Sequence, residues 1–327
     1  HAKADGTLVT GWYEEDGEKY YYAADGRQYK DCVVKIGNFY YGFDWNGRMY
    51  HNVFFNMLDP ETQNSDEYRA SEDGTLVTGW YEYNGSKYYY ETDGKQCDGL
   101  QTIDGKQYYF QDGRLQYSTR IEEKGTYYIA ASDGVLTEVK NNAWTKVDDK
   151  SYYMKDGAFL QSCVEKIGDS YYGFDSDGVM YDNREFSFYE NGEEIYYFAQ
   201  SGGELVTGWY EGDWGNTYYY GTDGKRYKGV QTINGKQYFF SMYGSLEKNS
   251  TIEIDGKGYI AGNDGVLTEA KNNAWNLIDG KYYYLKNGEF LKSCVVKIGN
   301  DYYGFDSDGV MYDDTSFSCK NAGEGSY

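Results

Sequence analysis

One short phrase recurs along the whole chain: two or three adjacent aromatic residues, followed a few residues later by a glycine. It appears thirteen times at intervals of about twenty residues, as in Tyr20-Tyr21-Tyr22…Gly26. A fixed short period is typical of a stacked array in which each unit contacts only its neighbours. The chain is therefore expected to fold as a repeat protein rather than around one central core.

A longer period is superimposed on the short one. Cys32, Cys163 and Cys294 are spaced 131 residues apart, so about six short units form one long unit. This spacing predicts a truncated block at 1–72 with an irregular loop at 53–72, a six-unit block at 73–203 and a second at 204–327. Residues 317–327 align with 186–196, which predicts that the sequence stops inside a hairpin, as expected of a fragment or a mature form.

Each short unit reads as a β-hairpin. Asn84-Gly85 separates two aromatic-rich runs, and Asn-Gly favours a two-residue turn with positive φ at both positions. An isolated hairpin is marginal in water and must stack its aromatic face on a neighbour. The predicted fold is all-β, an elongated solenoid of tandem β-hairpin repeats of about 20 residues. One exception is considered, a short helical turn at 137–144 and its copy at 268–275.

Composition limits the possible partners. Tyrosine supplies 42 residues, each with a hydroxyl that must reach water or a hydrogen-bond partner, which fits a slender array. The net charge of −22 argues against nucleic acid and against anionic membrane surfaces, which both require basic patches. No apolar run approaches the roughly 18 residues that a membrane span needs, so no membrane insertion is expected.

The cysteines offer two interpretations. Cys97 and Cys319 fall where aromatic residues stand in other copies, so the five cysteines are expected to be small core hydrophobes. The alternative is a disulfide between Cys294 and Cys319. Metal ligation is not expected, because no CxxC or Cys/His spacing is present.

Catalytic and metal-binding motifs are sparse. Asp175-Ser176-Asp177-Gly178 has part of a calcium-loop pattern but lacks its further ligands, and a turn already explains Asp-Gly. The two histidines, His1 and His51, do not recur, and the carboxylates lie at turns in every copy. We therefore expect no enzyme activity, no metal and no cofactor.

The phrase Gly79-Trp80-Tyr81-Glu82, followed by a tyrosine run and Asp-Gly, resembles the cell-wall-binding repeats of Gram-positive surface proteins. That superfamily includes choline-binding modules, glucan-binding repeats and the repetitive domains of clostridial toxins. The resemblance covers nearly the whole chain. It implies a β-hairpin solenoid, an extracellular or cell-surface location, and ligand sites in aromatic grooves between successive hairpins.

The resemblance also implies candidate site residues. In choline-binding relatives a cationic headgroup lies in a cage of three aromatic rings, and most units here lack the Gly-Trp pair that such a cage uses. Gln101 and Gln231 are expected near the grooves, and Trp45 and Trp214 are expected to face solvent. The candidate groove residues are Trp12, Tyr20, Tyr22, Trp80, Tyr88, Tyr90, Trp209, Tyr218, Tyr220, Trp144 and Trp275.

Three functions are compatible with the sequence. The first is a non-catalytic module that attaches to a bacterial cell-wall polymer or glycan, with choline as a possible ligand. The second is a host-facing adhesin or toxin-like array whose partner is a host glycan or protein. The third is a structural spacer whose aromatic residues serve only to stack the hairpins.

Overall fold

The computed structural model describes residues 1–59 and 63–318, and within them the chain is built almost entirely of antiparallel hairpins. It divides into two compact units, His1–Phe159 and a second that begins at Leu160. In the described residues each unit contains seven small sheets, and each sheet is one hairpin, in some cases with a short third strand. The prediction of an all-β chain of tandem hairpins is confirmed, while the block boundaries at 72 and 203 remain predictions.

In the first unit each strand pairs with the next strand of its own hairpin. The strands are β1 (Gly11–Glu15), β2 (Glu18–Tyr22), β3 (Cys32–Ile36), β4 (Phe39–Phe43), β5 (Val53–Leu58), β6 (Ser65–Ala70), β7 (Gly79–Tyr83), β8 (Ser86–Tyr90), β9 (Gly99–Ile103), β10 (Lys106–Gln111), β11 (Arg114–Leu115), β12 (Thr119–Glu123), β13 (Thr126–Ala130), β14 (Leu136–Glu138), β15 (Ala143–Val147), β16 (Lys150–Lys155) and β17 (Ala158–Phe159).

The second unit repeats this arrangement and adds one short 3-10 helix, Asp213–Gly215. Its strands are β18 (Cys163–Ile167), β19 (Ser170–Phe174), β20 (Arg184–Glu190), β21 (Glu193–Ala199), β22 (Gly208–Glu211), β23 (Thr217–Tyr220), β24 (Gly229–Ile233), β25 (Lys236–Phe240), β26 (Ser250–Ile254), β27 (Lys257–Ala261), β28 (Leu267–Glu269), β29 (Ala274–Ile278), β30 (Lys281–Lys286), β31 (Glu289–Phe290), β32 (Cys294–Ile298) and β33 (Asp301–Phe305).

The predicted hairpin turns are present. Between β7 and β8, Asn84 has a φ of 49° and Gly85 a φ of 77°. Positive φ at both central residues defines a type I′ turn, whose twist matches that of the flanking strands. The same pair of signs occurs at Asp104-Gly105 and at Asp255-Gly256. Asparagine and aspartate tolerate the left-handed region, which explains why these residues precede the glycine.

Two local expectations differ from the structure. The stretch 53–72 contains a regular hairpin, because β5 and β6 pair from Val53 opposite Ala70 to Leu58 opposite Ser65. Cys319 lies outside the described residues, and so does the alternative of a disulfide between Cys294 and Cys319. The prediction of a helical turn at 137–144 and 268–275 is wrong. Strands β14 and β15 occupy the first stretch, and β28 and β29 occupy the second. Pairing with β13 and β27 overrides the weak local helix preference.

Within each unit, backbone hydrogen bonds join one hairpin to the next. The amide of Met49, in the loop after β4, donates to the carbonyl of Lys19 in β2 at 2.8 Å. The amide of Leu246, after β25, donates in the same way to Thr217 in β23 at 2.8 Å. Each loop therefore lies across the second strand of the preceding hairpin. This contact gives a single hairpin the partner that it needs for stability.

The core of each unit consists of small hydrophobic clusters that include aromatic rings. The last aromatic residue of a hairpin's second strand is almost fully buried, as at Phe43, Tyr90, Phe174 and Phe240. Cys97 is 4% exposed and packs with aliphatic and aromatic neighbours, as expected of a small core hydrophobe. Burial raises the pKa of the Cys97 thiol to about 11, so this residue is a poor nucleophile at neutral pH.

Buried tyrosines predict an alkaline limit to stability. Burial, aided by nearby carboxylates, raises the pKa of Tyr68 to about 12, and burial likewise raises the pKa of Tyr90 and Tyr197. The folded-state pKa of these tyrosines lies above the unfolded value of about 10. Their contribution to the free energy of unfolding is therefore fully present below pH 10 and is lost as the pH rises towards 12. We expect the urea midpoint to fall across this range.

A Tyr68→Phe variant provides the control for this prediction, because it removes one titrating hydroxyl and leaves the ring. Its urea midpoint should fall less steeply above pH 10 than that of the wild type. Absorbance of tyrosinate, recorded in parallel, reports the ionisation directly. A wild-type midpoint that stays constant up to pH 12 would contradict the assignment.

Candidate functional site in the grooves between hairpins

The Gly-Trp tryptophans occupy equivalent strand positions. Trp80 is the second residue of β7, and the antiparallel register places it opposite Tyr89 of β8. The two rings are 5.1 Å apart between centroids and nearly perpendicular, at 73°. Residues directly opposite in a hairpin lie on the same face, so this ring pair is fixed by register. The equivalent pairs are Trp12 with Tyr21 at 5.0 Å and Trp209 with Tyr219 at 5.0 Å.

The next hairpin supplies two more rings. Tyr108 of β10 lies 5.1 Å from Trp80 at an interplanar angle of 75°, and Phe110 lies 6.0 Å away. Trp80 itself is 44% exposed, so part of its indole faces an open groove between the two hairpins. Equivalent rings lie at similar distances from the other two tryptophans. They are Tyr41 and Phe43 at Trp12, and Tyr238 and Phe240 at Trp209.

These rings line three grooves of nearly equal size, which we name the Trp12, Trp80 and Trp209 grooves. Their volumes are about 450, 460 and 440 Å³. Each has an aromatic wall, one long aliphatic side chain, and charged groups of both signs. The further lining residues are Tyr13, Glu14, Lys19, Met49 and Asp73 at Trp12; Tyr81, Glu82, Lys87, Leu115 and Asp133 at Trp80; and Tyr210, Glu211, Thr217, Leu246, Lys248 and Asp264 at Trp209.

The charged groups are arranged around these aromatic walls. In the Trp80 groove, Lys87 Nζ lies 3.3 Å from Glu82 Oε1, and both side chains are exposed. In the Trp12 groove, hydrogen bonds from the Ser71 and Thr75 hydroxyls, then from the Thr75 amide, lower the pKa of Asp73 to about 2. Asp73 therefore carries a negative charge across the physiological pH range. The groove therefore presents ring faces, a negatively charged carboxylate and an ammonium group.

Trp275 reproduces the ring geometry with different polar neighbours. Its indole lies 5.1 Å from Tyr284, 4.9 Å from Tyr303 and 5.9 Å from Phe305. Leu277 stands where the other hairpins carry Glu14, Glu82 or Glu211. Trp144 is 43% exposed and lies 5.1 Å from Tyr153, its partner across the hairpin. Both tryptophans thus pair across their hairpins with a tyrosine, as the tryptophans of the three grooves do.

The tyrosines predicted beside the tryptophans are on the opposite face of the hairpin. Tyr88 and Tyr90 lie one residue either side of Tyr89, and successive strand residues point to opposite faces. Tyr90 packs against Tyr81, 6.1 Å away, and is 1% exposed. Because they lie one residue away from the tyrosine opposite each tryptophan, the following tyrosines do not line the three grooves: Tyr20, Tyr22, Tyr88, Tyr90, Tyr218 and Tyr220.

The groove residues that the sequence reasoning missed have a recognisable signal. Tyr41, Tyr108, Tyr238 and Tyr303 follow their tryptophans by 28 or 29 residues, within the next aromatic phrase. The predicted glutamines do not line the three grooves. Gln101 Nε2 donates to the Asp98 carbonyl at 2.8 Å, and Gln231 makes the equivalent bond to Lys228.

Trp45 and Trp214 face solvent as predicted, with exposures of 75% and 98%. Across residues 1–59 and 63–318, no cluster of three or more histidine, cysteine or carboxylate side chains is arranged to hold a metal ion. The Asp175 carboxylate instead accepts hydrogen bonds from the backbone amides of Asp177 and Val179 in its own turn. The described part of the chain also contains no helix long and apolar enough to cross a membrane.

Comparison with known proteins agrees with this geometry. Residues 9–54, which include Trp12 and Tyr41, match the family model of the choline-binding repeat. Glucosyltransferase-S of Streptococcus mutans serotype c is 31% identical over 305 residues, which is 92% of this chain and 18% of that protein. Residues 9–54 are thus a choline-binding repeat, and the predicted resemblance to the cell-wall-binding repeat superfamily is confirmed.

Two further proteins are similar over a shorter stretch or at lower identity. Glucosyltransferase-I of Streptococcus downei is 32% identical over 125 residues, which is 38% of this chain and 8% of that protein. The crystal structure of choline binding protein F from Streptococcus pneumoniae is 19% identical, with a TM-score of 0.34, and the match covers 80% of this chain and 92% of that one. The chain spans less than a fifth of the length of the two glucosyltransferases.

Proposed function

We propose that the chain is a non-catalytic, extracellular binding module that holds a bacterial cell-wall polymer or glycan in the grooves between its hairpins. One observation carries the proposal: the same groove, with a partly exposed tryptophan and charged groups, recurs at Trp12, Trp80 and Trp209. A tryptophan that served only to stack hairpins would not need to remain partly exposed to a groove at all three positions. The lining groups can stack, hydrogen-bond and attract charge, which is the chemistry of binding.

Two ligand chemistries suit this groove. A sugar ring stacks on an exposed indole while carboxylate, ammonium and hydroxyl groups bond its hydroxyls, and the glucosyltransferase relatives act, by name, on glucosyl groups. A quaternary ammonium group would instead occupy the corner between the perpendicular Trp12 and Tyr41 rings, beside the charged Asp73. The lysine in each groove would repel a cationic ligand, whereas it can donate hydrogen bonds to a neutral polyol. The glycan is therefore the first candidate.

Binding to the intact polymer is expected to depend on several grooves at once. Many weak sites on one chain raise the apparent affinity by multivalency, because the second contact becomes intramolecular. The loss of one groove therefore gives a moderate defect, and the loss of several gives a large one. A module with one dominant site would behave differently.

The Trp80→Ala variant should bind cell walls or dextran about tenfold more weakly, because it removes the exposed indole face on which a ligand would stack. The triple variant at Trp12, Trp80 and Trp209 should lose retention almost completely. The measurement is co-sedimentation with purified Gram-positive walls, walls stripped of choline, and insoluble α-glucan. Millimolar choline that releases the protein from intact walls would favour the quaternary ammonium over the glycan.

The matched control is Trp214→Ala, which removes an indole of the same size from a surface outside the grooves. It should bind like the wild type. Equal loss in the control and in the groove variants would reject the assignment. Retention by host-cell glycans but not by bacterial walls would support the host-facing array, and retention by none of these polymers would support a structural spacer.

A further inference from the structure

The far face of the hairpins, opposite the tryptophan grooves, differs between the two units at one equivalent position. In the first unit the amide of Gln96 donates to the carbonyl of Glu67 at 2.9 Å. In the second, the amide of Arg226 donates to the carbonyl of Tyr196 at 2.9 Å. Gln96 and Arg226 also form the same bridge to the last tyrosine of the preceding strand. These backbone contacts are the same in the two units, whereas the side chain at the position differs.

In the second unit the Arg226 side chain fills this position. Its guanidinium carbon lies 4.4 Å from the centre of the Tyr218 ring and 5.2 Å from that of Tyr196. Arg226 donates to the Tyr220 hydroxyl, forms an ion pair with Glu185, and is only 7% exposed. The chain thus supplies its own cation to an aromatic cage.

In the first unit the same position is open. A groove of about 540 Å³ is lined by Phe54, Asn56, Glu67, Tyr83, Tyr88 and Asp112, among others. The shorter Gln96 side chain is held at its wall, where its amide nitrogen donates to Glu67 Oε2 at 3.0 Å and its amide oxygen accepts from the Tyr90 hydroxyl at 3.0 Å. Gln96 brings no guanidinium to this position, and the arginine that lines the groove is Arg114.

The groove in the first unit contains aromatic rings and carboxylates, which are the groups that bind a guanidinium. Tyr88 stands where Tyr218 stands in the second unit, and Glu67 and Asp112 supply negative charge. The rings of Phe54 and Tyr83 also contact the guanidinium of Arg69, whose central carbon lies 4.7 Å and 5.9 Å from their centres. Both rings remain about 40% exposed.

We propose that this groove, which we name the Gln96 groove, binds an arginine side chain presented by a partner protein. Tyr88, Phe54 and Tyr83 would stack on the planar guanidinium, and the carboxylates would accept its hydrogen bonds. One lining residue, Arg114, opposes the cation, but two carboxylates against one guanidinium leave the lining negative. The net charge of −22 adds a long-range attraction for a basic partner. This site is independent of the tryptophan grooves and of the glycan that they are proposed to hold.

The test uses the full chain and a capped Gly-Arg-Gly peptide, with citrulline and lysine peptides of the same length. We expect the arginine peptide to bind and the citrulline peptide, a neutral isostere, to bind at least about tenfold more weakly. Titration calorimetry gives the affinities. Equal binding of arginine and citrulline peptides, or no arginine binding at millimolar concentration, would overturn the proposal.

Two substitutions locate the site. Gln96→Arg places a guanidinium in the groove, as in the second unit, and should abolish peptide binding while wall retention is unchanged. Gln28→Arg, at the equivalent position of the β1–β2 hairpin, should bind the peptide like the wild type. If Gln96→Arg does not fold, Glu67→Gln with Asp112→Asn replaces it and should weaken binding about tenfold. Peptide binding unaffected by the groove variants would refute the site.

Discussion

Replacing Arg226 with alanine is expected to lower the free energy of unfolding of the second unit by about 3 kcal/mol. The guanidinium is nearly buried, and its contacts join three hairpins, since Glu185, Tyr220 and the Tyr243 carbonyl lie in or after different ones. Alanine removes the stacked methylene and guanidinium surface and leaves a cavity between tyrosine rings. Glu185 is half exposed, so water can solvate its freed carboxylate and the penalty comes mainly from the lost packing.

Arg226→Lys separates charge from shape. Lysine keeps the positive charge opposite Glu185 but has no planar group to stack on Tyr218 and makes fewer hydrogen bonds. It should recover less than half of the stability lost in the alanine variant. The measurement is urea unfolding followed by far-ultraviolet circular dichroism. Full recovery by lysine would show that the charge alone matters and would contradict the stacking argument.

The hairpins could be predicted from the sequence because their signals are local. Asn84-Gly85 fixes a turn type, and the aromatic runs on either side supply strands of matching length. The failed helical turn at 137–144 is informative for the same reason. It has no strong local signal, and the pairing of β14 with β13 decides its structure.

The groove partners were harder to predict because register and stacking decide them. In a run of three tyrosines, one position faces the tryptophan and its neighbours face the opposite side, and nothing in Tyr88-Tyr89-Tyr90 marks which is which. The choice follows from the two-residue turn, which places Tyr89 opposite Trp80. The second ring, Tyr108, comes from another hairpin, so its position depends on how successive units stack.

A glycine in the middle of an aromatic phrase is the other feature that sequence reasoning did not explain. Gly42, Gly173 and Gly304 occur 131 residues apart in the phrase Tyr-Tyr-Gly-Phe. None has a positive φ, so backbone freedom is not the reason. The structure places the ring of the phenylalanine thirteen residues further along the chain directly over each glycine, and a Cβ at Gly173 would be 2.2 Å from the Phe186 Cζ atom.

The ring over Gly173 cannot move aside easily. Phe186 is stacked on Tyr181 at 4.0 Å and on Tyr197 at 5.3 Å, with interplanar angles of 12° and 13°. It is 7% exposed and lies in the cluster that joins β19 to the β20–β21 hairpin. A methyl group under such a ring must separate the two hairpins or drive the ring off its stack.

Gly173→Ala is therefore expected to cost about 3 kcal/mol, at the upper end for overpacking, and to lower the urea midpoint of the second unit. A double-mutant cycle with Phe186→Leu tests the cause, because the smaller side chain makes room for the methyl group. The double variant should be less destabilised than the sum of the two single variants. Additive effects would place the cost of Gly173→Ala elsewhere than in contact with the Phe186 ring.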